Sequence, residues 1–522
     1  MFILNLIIFV LVLGLIIVIH ELGHFYFAKK SGILCHEFAI GMGPALYQKR
    51  KGETLYSIRS IPIGGYVSMA GESISDAMIK KEQVIGLKLN SQGHVYQIIL
   101  NSELPSDVIG IVKSYDLYGK NFNPLFIELN STGVEQKYPV LRDALYRLSP
   151  NKEMWITPAE KSFESKTLWQ RFIVIFAGPM MNFILALFLF LIVGFFLVKP
   201  NNFSSELGAV SETAPSGLIG LQPGDKITSI NGQPIGTWTN ISAVMGNLDS
   251  IYLSLSYTRA NQTFIENDIV VSATIQMAGI TNVSPEREYY HDQAIIGQAF
   301  GRAKSDGGLT SGDEIIAITL NGVTTPISTW DDLIVYFRNN TSGNLEIRYL
   351  REGVEKVAHY AMISERALSK LGYQSIVMQL GIGPTSHFDL WYSLSYPFVA
   401  FVSNTRQVFA TLGLLFDTRE NLGLSDLSGP VGIFSLVSNT ASQGIIALIG
   451  FTAFLSINIG LLNLLPIPAL DGGRLVFLGI EAITRKPLNR RLENTINNVM
   501  FFMLLGLFVF VTYNDIVRLI RG

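Results

Sequence analysis

Residues 18–25 read Val18-Ile19-His20-Glu21-Leu22-Gly23-His24-Phe25, which places two histidines and a glutamate inside a long apolar segment. On a helix, His20 and His24 lie one turn apart on the same face, where two imidazoles can bind one metal ion. Glu21 lies beside them, where its carboxylate could take a proton from a metal-bound water. The stretch therefore predicts a catalytic metal site on a helix.

The segment around this motif has the length and composition of a membrane span. No charged residue occurs from Phe2 to Ile19, and Lys29-Lys30 ends the segment. Ionisable residues at hydrocarbon depth are costly and usually functional, so a chance H-E-x-x-H on a polar helix surface is the weaker interpretation. No small-residue cleavage site follows, and we therefore expect residues 1–30 to be a retained first span rather than a signal peptide.

Composition restricts the class of protein. The chain has 522 residues, of which 48% are apolar and 15% charged, and its formal net charge is −2. This is long enough for several domains, too apolar for an average soluble protein, and without the positive charge that nucleic-acid binding requires. The single cysteine, Cys35, excludes a disulfide framework and makes a cysteine-based zinc site improbable.

Three further apolar segments predict spans at 172–198, 444–474 and 495–514. The basic residues that flank the spans, at Lys29-Lys30, at 49–51 and in the loop 475–494, place those regions in the cytosol by the positive-inside rule. With this topology, residues 199–440 must be extracytoplasmic. Segment 386–440 then cannot be a single crossing, and we expect it to form amphipathic helices at the membrane surface.

Asp471 is the candidate third metal ligand. A catalytic zinc ion needs three protein ligands and an open position for water. Asp471 follows a span interrupted by Pro466 and Pro468, and the predicted topology brings it to the depth of His20 and His24. The alternative role is a helix N-cap, but the matching depth favours a ligand. Two imidazoles and a carboxylate suit zinc, although another divalent ion is not excluded by the sequence.

Two other regions are predicted to be β-rich. The run Ile61-Pro62-Ile63-Gly64-Gly65-Tyr66-Val67-Ser68-Met69, within residues 31–71, suits an edge strand or a re-entrant hairpin because of its paired glycines and its proline. Residues 72–165 alternate short apolar runs with turn residues. They predict a small cytosolic β-rich insertion, to which the sequence gives no role.

Residues 203–285 and 286–385 contain a repeated pattern. Gly-Leu-x-x-Gly-Asp, an alternating apolar run and Asn-Gly occur first from Gly220 to Gly232 and again from Gly308 to Gly322. Trp238 and Trp330 follow at similar offsets. Both segments resemble PDZ domains, which commonly bind extended peptides at a sheet edge. They could equally be spacers or steric filters.

As a set, these motifs resemble the site-2 protease family of intramembrane zinc metalloproteases, of the bacterial regulator-of-sigma protease type. The resemblance rests on six motifs: His20-Glu21-Leu22-Gly23-His24, Gly41-Met42-Gly43-Pro44, Ile61–Val67, Ala177-Gly178-Pro179 with Asn182, Leu427-Ser428-Gly429-Pro430-Val431-Gly432 and Asn463–Gly472. The insertion and Asp471-Gly472-Gly473-Arg474 are similar to the Gram-positive branch. That branch typically has one PDZ domain, whereas two are predicted here.

The resemblance implies roles for individual residues. It implies one Zn²⁺ held by His20, His24 and Asp471, with Glu21 as the catalytic base that activates a zinc-bound water. It also implies a re-entrant β element whose edge pairs with an unwound substrate helix. The implied substrate-binding residues are Gly64, Gly65, Tyr66, Asn463 and Pro468.

The predicted fold class is a multi-pass α-helical membrane protein. It would have four transmembrane helices, a re-entrant β element, two extracytoplasmic β-rich PDZ domains and the small cytosolic insertion, in a bacterial cell membrane and in contact with its lipids. Its active site would lie near the cytosolic side. The implied substrates are single-span membrane proteins, such as anti-sigma factors or signal-peptide remnants, already trimmed by another protease. Tandem PDZ domains would exclude bulky ectodomains.

Two alternatives to a metalloendopeptidase belong to other functional classes. The chain could be a catalytically inactive membrane PDZ adaptor with a structural metal site, although such a site has no need of Glu21. It could also be a metal transporter, which would require more intramembrane ligands along a path than the sequence shows.

Overall fold

The computed structural model describes residues 2–71, 78–101, 103–131, 133–150, 152–420, 423, 426–486 and 488–521. The chain divides into two units: one comprises residues 1–189 and 434–506, the other residues 190–433 and 507–522. The helices are α1 (Phe2–Lys30), α2 (Leu168–Phe196), α3 (Pro215–Leu218), α4 (Trp238–Gly246), α5 (Arg302–Ser305), α6 (Trp330–Asn339), α7 (Glu365–Lys370), α8 (Leu390–Leu415), α9 (Pro430–Ser442), α10 (Ile445–Leu464), α11 (Asp471–Thr484) and α12 (Arg490–Arg521).

The strands lie between α1 and α2 and between α2 and α8. They are β1 (Cys35–Lys51), β2 (Thr54–Met69), β3 (Val84–Leu89), β4 (Val95–Ile99), β5 (Val108–Asp116), β6 (Phe126–Ser131), β7 (Val134–Ser149), β8 (Lys152–Trp155), β9 (Lys199–Pro200), β10 (Leu207–Val210), β11 (Lys226–Ile230), β12 (Gln233–Pro234), β13 (Tyr252–Arg259), β14 (Gln262–Val270), β15 (Ser272–Ile275), β16 (Ile280–Thr281), β17 (Gln298–Ala299), β18 (Glu314–Leu320), β19 (Val323–Pro326), β20 (Asn344–Arg351), β21 (Val354–Ala361), β22 (Ile376–Gln379), β23 (Ile382–Pro384) and β24 (Ser386–His387).

Five of the described helices are long and apolar enough to cross a membrane: α1, α2, α8, α10 and α12. Four of them coincide with the predicted spans. The fifth, α8, lies in the segment 386–440 that was expected to form surface helices, and it is the least apolar of the five. Length and composition alone do not decide whether α8 crosses the membrane, so its surface location stays a prediction.

The third predicted span is interrupted where its prolines occur. Helix α10 ends at Leu464, and the chain from Leu465 to Leu470 is not helical until α11 begins at Asp471. Pro466 and Pro468 lack the backbone N–H that a continuous helix would need there. The break gives Asp471 the first position of a new helix instead of a place within a long one.

Strands β1 and β2 form a hairpin that folds back on itself. Residues 37–40 of β1 pair with residues 55–58 of β2 on one side and with residues 65–68 on the other. Gly41 and Gly64, with φ of 85° and 92°, adopt left-handed backbone conformations near the bends, where a side chain would be strained. The folding leaves Gly65–Met69 as an edge, because β1 is its one strand neighbour among the described residues.

The predicted β-rich insertion forms a closed barrel in its described part. Strands β3 to β7 follow the order β4-β3-β5-β6-β7, and a parallel pairing of β7 with β4 closes the sheet, with β8 attached to β7. Fully buried side chains from the strands, including Leu87, Ile98, Ile127 and Leu129, fill its interior. The alternating apolar runs of the sequence are the inward-facing residues of these strands.

The two repeats of the second unit have the same sheet order. The sheet of the first repeat runs β12-β11-β13-β14, and the sheet of the second runs β19-β18-β20-β21. In each repeat, the helix between the second and third strands in chain order begins at a tryptophan and is N-capped by a threonine in a capping box: α4 follows Thr237, and α6 follows Thr329. The repeat predicted from sequence is thus a structural repeat, while its identity as a pair of PDZ domains stays a prediction.

The boundary predicted between residues 285 and 286 does not separate two independent folding units. Strand β22 pairs with β15 of the first repeat, and β23 pairs with β10. One continuous apolar core extends from Leu207 to Leu380. The second repeat is therefore inserted between strands that complete the first, an arrangement that local sequence signals could not indicate.

Within the same unit, the Leu427–Gly432 motif contacts the last helix. The buried Asp515 of α12 accepts a hydrogen bond from the backbone N–H of Gly432, at 2.8 Å. Arg518 of the same helix lies 3.7 Å from Asp426.

Candidate metal centre

Three predicted ligands from opposite ends of the chain converge within the first unit. Helix α1 presents His20 and His24 on one face, and α11 presents Asp471 from its first turn. Asp471 Oδ2 lies 3.1 Å from His20 Nε2 and 3.3 Å from His24 Nε2, and the two Nε2 atoms are 3.2 Å apart. All three side chains are at least 87% buried, since none is more than 13% exposed.

These separations fit the ligand shell of a single metal ion. A tetrahedral site with metal–ligand distances of about 2.0–2.1 Å has ligand atoms about 3.3–3.4 Å apart. Asp471 Oδ2 is buried, and no hydrogen bond satisfies it within the described residues. Three lone-pair-bearing atoms therefore meet with no hydrogen-bond donor between them. A bound cation would stabilise this arrangement.

Asp471 is not the N-cap of α11. The N-cap position is occupied by Leu470, and no side chain caps the helix there. The carboxylate of Asp471 faces the two imidazoles instead. The N-cap alternative considered from sequence is therefore wrong, and the position of the carboxylate is consistent with the predicted ligand role.

The other ring nitrogens orient the two imidazoles. His24 Nδ1 donates to the backbone carbonyl of Val174 at 2.8 Å, which leaves Nε2 as the ligand atom. His20 Nδ1 lies 3.3 Å from the side-chain amide of Asn182, whose Oδ1 has no hydrogen-bond partner among the described residues. The amide atom placed toward His20 is Nδ2; with the amide turned by 180°, Oδ1 would accept the Nδ1–H and hold His20 in the same tautomer.

Gly178 of α2 gives the imidazoles their space. A Cβ atom at this position would lie 2.3 Å from His24 Nε2 and 2.9 Å from His20 Cε1. One turn of helix later, the Asn182 backbone carbonyl accepts from the buried Ser456 hydroxyl of α10 at 2.8 Å. The Ala177-Gly178-Pro179 motif thus permits the approach of α2 to the metal ligands.

A cavity of about 250 Å³ opens onto the three ligands. Glu21 lines it, as do Tyr66 and Asn463, two of the residues implied to bind substrate. Gly65 lies close by, since a Cβ atom there would be 3.5 Å from Glu21 Cγ. Gly64 and Pro468, implied to bind substrate as well, do not line this cavity.

The edge of the folded hairpin that has no second strand neighbour among the described residues lies at the same cavity. Tyr66, Val67 and Met69 of the edge segment line it. The Tyr66 hydroxyl donates to Glu37 Oε2 at 2.8 Å, and Arg59 donates to Glu37 Oε1 at 2.6 Å. This half-buried carboxylate therefore joins three parts of the hairpin and holds Tyr66 at the cavity wall.

Several lining residues were not predicted as site residues. They are Val67, Met69, Ile175, Ala469, Leu470 and Arg474. Arg474 could have been predicted from its spacing, because residues three apart on a helix share a face and Arg474 is three residues after Asp471. Ile175 carries none, because its place at the cavity depends on how α2 packs.

Helices able to span a membrane, together with a His₂Asp cluster and an adjacent glutamate, define a class: membrane metallopeptidases. Comparison with known proteins gives the family. The pattern of Peptidase family M50 matches residues 8–507. The chain belongs to this family, whose members are site-2 proteases, and its cofactor is Zn²⁺.

Named relatives are similar over nearly their whole length. Zinc metalloprotease RasP of Shouchella clausii is 32% identical over 515 residues, which cover 98% of each chain. Regulator of sigma-W protease RasP of Bacillus subtilis is 32% identical over 528 residues, covering 99% of this chain and all of the relative. A putative zinc metalloprotease of Staphylococcus aureus is 31% identical over 520 residues, covering 99% of each chain.

Proposed function

We propose that this protein is an intramembrane metalloendopeptidase that cleaves the transmembrane segments of single-span membrane proteins. The observation that carries the proposal is the meeting of His20, His24 and Asp471 in a cavity that is also lined by Glu21. Zinc bound there supplies Lewis-acid polarisation of a carbonyl and a more acidic water. Glu21 takes the proton of the attacking water, which a purely structural metal site would not require.

The hairpin edge supplies the means to present a peptide bond. A transmembrane helix hides its carbonyls in intrahelical hydrogen bonds, and backbone groups freed in a bilayer are costly unless they are satisfied again. Gly65–Met69 offers unpaired backbone groups beside Glu21, so an unwound substrate segment can add to it as a strand. Tyr66 and Asn463 then contact the substrate, while Gly64 and Pro468 act through the backbone of the hairpin and of the α10–α11 connection.

The proposed location follows from charge and helix length. Lys29-Lys30 ends α1 on the cytosolic side of a bacterial cell membrane, only a few residues beyond His24. The repeats at 203–385 are extracytoplasmic PDZ domains that restrict access to substrates already trimmed by another protease. One relative is named for regulation of sigma-W, which makes anti-sigma factors the first substrate class to test, followed by signal-peptide remnants.

Co-expression with a tagged single-span substrate tests this function. Wild type is expected to convert the substrate to a shorter fragment, and Glu21→Gln to leave it intact while still binding zinc. Glu135→Gln, at an exposed position of the barrel, is the matched control and should cleave as wild type does. Equal amounts of intact substrate with wild type and Glu21→Gln would contradict the protease function and favour a membrane adaptor.

A further inference from the structure

A second and larger cavity adjoins the metal cavity within the first unit. It has a volume of about 990 Å³ and lies among the barrel, the start of α2, α11 and α12. Ile175 and Arg474 line both cavities, so the two share a wall. Its volume is at the upper end of the range of about 300–1,000 Å³ that is typical of small-molecule pockets.

Helix α11 connects the metal centre with this second cavity. The helix begins with the metal ligand Asp471, and its next two turns contribute Arg474, Phe477, Leu478 and Glu481 to the cavity lining. These four residues follow the i, i+3, i+4, i+7 spacing of one helical face. A peptide that leaves the metal centre along α11 would therefore enter the second cavity.

The charged residues of the lining are four basic and four acidic side chains. Arg171 of α2 pairs with Glu481 of α11 at 2.5 Å, which fixes the two helices across the cavity. Lys166 Nζ donates to the backbone carbonyl of Glu160 at 2.6 Å. A wall of both signs does not select a strongly charged ligand such as a nucleotide, but it suits a polar polypeptide with side chains of either charge.

The barrel contributes an aromatic residue at this cavity. Phe122 lines the cavity, yet it is 75% exposed. Its φ of 62°, like the 57° of the neighbouring Asn121, is left-handed, which is uncommon for a bulky residue. The loop is held by Arg142, which donates to the Asn123 carbonyl at 2.9 Å and lies 5.4 Å from the Phe122 ring. Backbone strain of this kind is often associated with function.

We infer that this cavity receives the polar segment of the substrate that continues beyond the cleaved span on the side of Lys29-Lys30. The inference rests on the proposed proteolysis. It gives the barrel a role, namely to form with α11 a binding surface for the part of the substrate that lies outside the bilayer. The site would retain a substrate whose span is in the metal cavity and would guide the released polar fragment away.

Site-specific photo-crosslinking tests the occupant. A photoreactive amino acid at Phe122, in the full chain carrying Glu21→Gln, should crosslink to substrate residues just outside the span. The matched control places it at Val134, a 65% exposed apolar residue of the same barrel that does not line the cavity. Crosslinks of equal yield at both positions, no crosslink at Phe122, or a crosslink to phospholipid in place of substrate would overturn the inference.

Kinetics separate this inference from the proposed function. With an active enzyme, Phe122→Ala should raise the KM of a substrate with its full polar segment by roughly five-fold and leave kcat unchanged. The KM of a substrate shortened to a few residues beyond the span should not change. If wild type cleaves both substrates with one KM and Phe122→Ala alters neither, the cavity has no such role and the protease function stands. If wild type cleaves neither, the proposed function itself fails.

Discussion

Asp471 Oδ2 lies 3.1 Å from His20 Nε2, although the two residues are near opposite ends of the chain. The contact exists because the chain breaks between α10 and α11, so that Asp471 occupies the first turn of a helix and not the interior of a span. His24 Nε2 lies 3.3 Å from the same oxygen, and the three groups are spaced as the ligands of one ion would be.

Removing the carboxylate should remove the metal. We expect Asp471→Ala to lower the zinc content of the purified protein at least ten-fold, because only two imidazoles would remain to hold the ion. Elemental analysis measures this, with Asp143→Ala, at an exposed position of the barrel, as the control. A chelator should abolish cleavage by wild type and added Zn²⁺ should restore it. Full zinc occupancy in Asp471→Ala would exclude this residue from the site.

A single methyl group at Gly178 should disrupt the centre. The Cβ of Gly178→Ala would stand 2.3 Å from His24 Nε2, so α2 or the imidazole must move, at a cost of about 1–3 kcal/mol. We expect loss of zinc and of cleavage while the protein still inserts into membranes. Gly14→Ala, in α1 with no atom within 4 Å of the added Cβ, is the matched control. Wild-type zinc content in Gly178→Ala would show that the helices are not packed as described.

Asn182 should act through His20. Asn182→Leu removes the amide that orients His20, and the loss of such a partner typically lowers metal affinity by roughly ten- to one hundred-fold. Competition with a graded series of chelators measures the affinity directly. Asn182→Asp, which retains an acceptor oxygen, should restore most of it. If Asn182→Leu binds zinc as tightly as wild type, Asn182 serves helix packing only.

The second unit should lose stability in acid through Asp225. This side chain is 1% exposed and accepts two hydrogen bonds of 2.7 Å from Arg259. Burial acts to raise the pKa of Asp225, but the Arg259 hydrogen bond and the backbone N–H of Gln222 outweigh it and hold that pKa below its usual value. The folded state therefore binds fewer protons than the unfolded state, and this contribution is complete above about pH 4 and is lost as pH falls further.

Thermal unfolding of the full chain at two pH values checks this. Asp225→Asn should lower the Tm of the second unit at pH 7, and the difference from wild type should shrink at pH 3. A difference that stays constant across this range would mean that ionised Asp225 contributes nothing. The equivalent pair Arg351–Asp313 of the second repeat, also at 2.7 Å, remains intact and serves as an internal reference.

Much of the candidate site could be predicted from the sequence, because the motifs that indicate it are local. H-E-x-x-H predicts two ligands and a base by helical spacing alone, and the prolines at 466 and 468 mark the break before Asp471. The length of the apolar segments predicted four of the five candidate spans. The fifth, α8, is ambiguous because its composition lies between that of a span and that of a surface helix.

Long-range packing decided the rest. No local sequence pattern predicts that β22 and β23 pair with strands of the first repeat or that β7 pairs with β4 to close a barrel. Nor does any pattern predict that Gly178 faces His24. Such relations depend on which surfaces meet after helices and strands have formed, and each surface could be buried in several ways. The sequence by itself predicted the candidate ligands and the candidate catalytic base and determined the apolar helices, because these follow from residue chemistry and spacing. Only the tertiary structure decided the second cavity, the hairpin edge at Glu21 and the partners of each imidazole, because those arise where distant segments pack together.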